Sequence, residues 1–126
     1  MTFSAKATDP ASVLDAAALA RLAELDPQGT AGLVQRVLST YANALERSRQ
    51  ELLLLRQPLQ HEPLRHLAHT LKSSSASVGA LALSALCAQV EHHARSQQAA
   101  EMGSLLDAMQ AEMQRVAGAV QAMLRA

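Results

Sequence analysis

Arg65, His69 and Lys72 form the most reactive grouping in the chain, a histidine with one cation four residues before it and another three residues after it. On a helix turning about 100° per residue, Leu64, Leu67, Ala68, Leu71 and Ser75 fall on one side, and His69 points well away from them. Its surface neighbours are those three and four positions off: Arg65, His66, Lys72 and Ser73. An imidazole flanked by two cations suits a neutral nucleophile that attacks phosphorus, with the cations holding the dianion it then carries. Lys72 would hydrogen-bond phosphate oxygens as a point charge and stabilise charge during transfer. The run Ser73-Ser74-Ser75-Ala76-Ser77 is costly for helix propensity, so small size is its use. Ser75 lies in the apolar stripe, where it lets helices pack closely. Ser73 and Ala76 lie beside His69, where bulk would block a partner. Gly79 supplies a tight turn after the helix.

The other histidines carry less. His61, His92 and His93 read as polar surface residues. His66 shares the helix of His69, but its neighbours Glu62, Pro63, His69 and Thr70 include no cation. A metal-binding bundle built from Glu62, His66, His69 and His92 would need paired Glu-x-x-His motifs on facing helices. Glu62 is instead followed three later by Arg65, Glu91 by Ala94 and Glu101 by Ser104. No metal or other cofactor is therefore expected. A helical docking module without chemistry is the remaining alternative, and it would not need Lys72 beside His69. Met102, Met109, Met113 and Met123, at helical spacing, read as core filler.

The elements that must position this grouping are helices. Hydrophobic residues make up 49% of the 126 and aromatics only 2%, with Ala and Leu dominant, which favours helix over sheet. Residues 1–11 lack periodicity and read as a flexible tail before a domain of residues 12–126. Leu14, Ala18, Leu19, Leu22 and Leu25 predict a short helix starting at Asp15 or Asp9-Pro10 and ending at Asp26-Pro27-Gln28-Gly29. A long helix is expected from about Thr30 to about Arg56, with Val34, Leu38, Tyr41, Leu45, Ser48, Leu52 and Leu55 alternating in steps of four and three as in a bundle seam. Pro63 suits the first turn of the His69 helix, which should end near Ser77. Leu83, Leu86, Cys87, Val90 and Ala94 give a fourth stripe, Ser96-Gln97-Gln98 a turn, and Leu105, Met109, Met113, Val116, Val120 and Met123 the last stripe. Short connections imply antiparallel neighbours. The fold class is all-α: an antiparallel up-down four-helix bundle with a short additional N-terminal helix.

A formal net charge of zero argues against nucleic-acid binding through phosphate neutralisation. No stretch approaches the roughly 18 to 20 apolar residues of a membrane span, and the N-terminus lacks the apolar core of a signal peptide. A single cysteine, Cys87, fits a reducing compartment. The chain is expected to be cytoplasmic and monomeric, and Met1 with the tail favours a free-standing protein over a piece of a longer one.

Ala68-His69-Thr70-Leu71-Lys72, then Ser74 and Val78-Gly79-Ala80, resemble the core of the histidine-containing phosphotransfer (HPt) domain. Ser73 stands where that family commonly has Gly; both are small. The resemblance implies the same four-helix bundle, with the active histidine projecting from the middle of one helix. It implies a phosphocarrier of a multistep two-component relay, not an enzyme with an ATP site of its own. His69 would accept a phosphoryl group from a receiver-domain aspartyl phosphate and pass it to another receiver. The partners would be receivers of a hybrid sensor histidine kinase and of response regulators, which would bring Mg²⁺ and most catalytic groups. Lys72 and Arg65 would assist with charge, and Ser73 and Ala76 would line the docking surface. The family often places Gln or Glu at the offset of Glu91, to orient the imidazole through its non-phosphorylated nitrogen or to bind the lysine; a solvated glutamate is the plain alternative.

Overall fold

The computed structural model describes residues 13–97 and 99–126. The expected tail, the alternative start at Asp9-Pro10 and Gln98 of the expected turn lie outside them. Among the described residues the chain forms five helices: α1 (Ala16–Glu24), α2 (Leu33–Leu55), α3 (His61–Ser77), α4 (Leu81–Arg95) and α5 (Met102–Arg125).

Local chemistry sets the boundaries. Asp15 caps α1, its Oδ2 accepting from the Ala18 backbone N–H at 3.1 Å, as expected of an aspartate at this position. Expected from about Thr30, α2 begins at Leu33 because Gly32 adopts a left-handed conformation, φ 62°. Asp26 reaches forward from the preceding turn and accepts from the Leu33 N–H at 3.1 Å, satisfying one of the donors a helix start leaves open. Pro63 falls in the first turn of α3, where a missing N–H breaks no helical bond.

Helices α2 to α5 pack in a ring, each against its sequence neighbours and α5 back on α2, while α1 lies against α2. Each contributes one apolar stripe to a continuous core. Leu38, Tyr41, Leu45, Leu52 and Leu55 of α2 are buried, and Val34 packs at the edge. All five stripe residues of α3, Leu64, Leu67, Ala68, Leu71 and Ser75, are buried. In α5 the seam is Met102, Leu106, Met109, Met113, Val116 and Val120, with Leu105 half-buried beside it. The four-three alternation runs back through Leu106 to Met102, one residue off the expected start. Each fully buried leucine stabilises the bundle by about 2 kcal/mol. No described helix is long and apolar enough to cross a membrane.

Candidate functional site

Helix α3 is fixed on three sides. Towards α2, the Tyr41 hydroxyl and Ser75 Oγ form a buried 2.7 Å hydrogen bond. Burial pushes the Tyr41 phenol up to about 12, against the opposing pull of the Ser75 bond. Towards α4, Ser84 Oγ donates to the Lys72 backbone carbonyl at 2.9 Å. At its end, the Ala80 N–H bonds Ser75 O at 2.8 Å and the Gly79 N–H bonds Ala76 O at 3.1 Å, a Schellman closure with Gly79 left-handed at φ 87°. Gly79 has a second reason to lack a side chain: a Cβ there would lie 2.7 Å from the Asp15 nitrogen, whose N–H donates to Gly79 O at 2.8 Å. The serine run is reconciled with the helix because the Ser74 and Ser77 hydroxyls bond back to preceding carbonyls.

So held, α3 presents His69 to solvent, with 57% of its side chain exposed. Glu91, on α4, lies beneath it with only 6% of its side chain exposed. Its carboxylate gathers three donors. His69 Nδ1 lies 2.9 Å from Oε2, Lys72 Nζ 2.8 Å from Oε1, and Arg95 Nη2 2.9 Å from Oε2. The Lys72 hydrogen bond, helped by that of His69, holds Glu91 below the usual carboxylate range although burial pushes it the other way. An ionised carboxylate only accepts, so Nδ1 carries a proton, and in the neutral imidazole Nε2 then keeps its lone pair.

Arg65 is drawn elsewhere. Its guanidinium chelates the exposed Glu62, with Nη2–Oε2 at 2.6 Å and Nε–Oε1 at 3.1 Å, so it stands one turn from His69 without joining the Glu91 cluster. Ser73 and Ala76 are exposed on the same face as His69. His66 is exposed, and His92 packs edge-to-face on His93 with ring centroids 5.9 Å apart. Among the described residues no group of three His, Cys, Asp or Glu is placed to hold a metal ion.

Arg95 was not singled out from sequence, although its signal, a glutamate four residues earlier on the same helix, is an ordinary one. Tyr41–Ser75 and Ser84–Lys72 join separate helices and have no local signature.

Comparison with known proteins bears on the fold and the family. A family model described as Hpt domain matches residues 32–119. The crystal structure of histidine-containing phosphotransfer protein B (HptB) from Pseudomonas aeruginosa PAO1 is similar at TM-score 0.80 and 26% identity, covering 91% of this chain and 96% of that one. The X-ray structure of a rice protein described as a histidine-containing phosphotransfer protein is similar at TM-score 0.75 and 25% identity, covering 98% of this chain and 84% of that one. No curated protein sequence matches. The family match runs from the start of α2 far into α5 and takes in His69, Lys72, Gly79 and Glu91: the chain belongs to the Hpt domain family.

Proposed function

We propose that this chain is a phosphocarrier of a multistep two-component relay, with His69 as the residue that receives and hands on the phosphoryl group. The observation that carries the reading is the 2.9 Å bond from His69 Nδ1 to the buried Glu91 carboxylate. It leaves Nε2 as the free nucleophile on an exposed, convex face.

Nε2 attacks phosphorus of a receiver's aspartyl phosphate in line with the bond that breaks. The P–O bond to the aspartyl oxygen cleaves, its electron pair leaves with the carboxylate, and an N–P bond forms. The Nδ1 proton stays in place, so positive charge grows on the ring and Glu91 opposes it. Lys72 opposes the charge on the phosphoryl oxygens. The reverse sequence delivers the group to the aspartate of another receiver. Protrusion matters because attacking and leaving atoms need opposite sides of phosphorus, which a histidine entering a concave partner site provides.

Ser73 and Ala76 form the docking apron, and Arg65, tied to Glu62, adds a guanidinium one turn from the histidine. The partners on this reading are receivers of a hybrid sensor kinase and of response regulators, met in the cytoplasm by a monomeric domain of residues 12–126. It carries phosphate without a nucleotide site of its own.

The test is incubation with phosphorylated receivers, scoring label on the chain and its stability in acid and base. Wild type should acquire an acid-labile, base-stable label. His69→Gln should acquire none, with helical circular dichroism and melting temperature nearly unchanged because His69 fills no core space. Retained label in the mutant would move the site, with His66 first in line.

A further inference from the structure

The two oxygens of Glu91 are not used alike. Oε1 receives Lys72 at 2.8 Å, while Oε2 is shared by His69 Nδ1 and Arg95 Nη2, both at 2.9 Å. Charge counting gives this division a meaning. Glu91 and Lys72 alone sum to zero, so a lysine facing a lone buried carboxylate would be neutralised by it. A buried carboxylate also resists losing its cation, because an uncompensated charge there is costly. With Arg95 on the other oxygen the group carries one net positive charge. Lys72 can then turn to a phosphoryl oxygen while Glu91 keeps both a cation and its bond to the imidazole. The Arg65–Glu62 pair sums to zero and does not fill this role.

We infer that Arg95 is a positioning residue for phosphoryl transfer: by holding Oε2 of Glu91 it releases Lys72 to the phosphoryl group. Arg95 does not touch the reacting atoms; it acts through Glu91. A guanidinium suits the task because it stays charged at any working pH, and one helical turn separates it from Glu91, so the pair needs no loop to position it. The inference rests on the His69 phosphocarrier reading and adds to it the source of the site's net charge.

Transfer from a phosphorylated receiver is measured by rapid quench across receiver concentrations for wild type, Arg95→Gln, Arg95→Lys, Glu91→Gln and the Glu91→Gln/Arg95→Gln double variant. Arg95→Gln should lower the rate at saturating receiver roughly tenfold, the scale of one charge-assisted hydrogen bond, with little change in KM. Arg95→Lys should recover most of it. In the Glu91→Gln background, where no anion remains to neutralise, Arg95→Gln should cost nothing further. On labelling with phosphoramidate, the Lys72 ε-ammonium ¹⁵N resonance should shift in wild type and stay near its resting position in Arg95→Gln. An equal loss in both backgrounds, or a raised KM with an unchanged saturating rate, would overturn the inference and make Arg95 a contact to the receiver. Wild-type chain labelled at His69 with Arg95→Gln indistinguishable from it sinks the inference alone. Wild-type chain unlabelled at His69 sinks the phosphocarrier reading beneath it.

Discussion

Breaking the Tyr41–Ser75 hydroxyl pair from either side should destabilise the bundle, and breaking it from both sides should not. Ser75 is fully buried and Tyr41 4% exposed, so a hydroxyl that loses its partner finds no water. Tyr41→Phe leaves Ser75 Oγ able to turn back to a carbonyl of its own helix, which puts its cost near the bottom of the range for an unsatisfied buried group, about 1 kcal/mol. Ser75→Ala strands the phenol, which has no such local acceptor; about 2 kcal/mol is expected, less about 0.5 kcal/mol gained in helix propensity. The double variant removes donor and acceptor together and should fall within about 0.5 kcal/mol of wild type. Urea unfolding of the four proteins gives the coupling directly, about 2.5 kcal/mol of non-additivity, equivalent to roughly 10 °C in Tm for a chain of this length. Additive losses, with the double variant the least stable, would refute the assignment of the pair as a mutually satisfied bridge between α2 and α3.

Replacing Lys72 with Ala should slow transfer from a phosphorylated receiver by about 10- to 1000-fold, about 1.4 to 4 kcal/mol; an unchanged rapid-quench rate would reduce it to a surface lysine. Ala76→Arg adds bulk and charge to an exposed position and should weaken receiver binding in calorimetry while phosphoramidate still labels His69. Normal binding would place the interface on another side. Because Glu91 is held below its ordinary 4.5 by Lys72 and His69, its contribution to stability is complete above that value and is lost as pH falls through the depressed folded value. Urea midpoints of wild type should therefore drop more steeply below about pH 4.5 than those of Glu91→Gln; parallel curves would show that the carboxylate gains nothing from its partners.

What could be read from the sequence is what local geometry controls. The α3 stripe needed only the helical period, and every residue assigned to it is buried. The same calculation turned His69 outward. Gly79 was legible as a turn, but not as the seat of Asp15, because that approach joins residues 64 positions apart in the chain. Ser75 was legible as small, not as hydrogen-bonded, since Tyr41 reaches it from another helix. The Arg65–Glu62 pair, three residues apart on one helix, lies within reach of the spacing rule. Glu112 is buried on α5, bonded to Arg115 at 2.9 Å; its spacing of three from Met109 and four from Val116 puts it on the flank of the apolar stripe, but the spacing does not tell a buried, paired carboxylate from a solvated one at that boundary.

The ring of four helices gives the molecule a back as well as a front. Helix α5 stands diagonally across from α3, and its residue Ala111 is exposed, 200° around the helix from the buried Met109 and Met113. The native thiol, Cys87, is fully buried, and burial raises it to about 12, which removes the thiolate that maleimides require. A cysteine introduced at Ala111 would thus take a dye or a surface tether alone. The domain could be immobilised or watched by fluorescence with its histidine face turned outward, so that successive partners could be passed over one and the same loaded molecule.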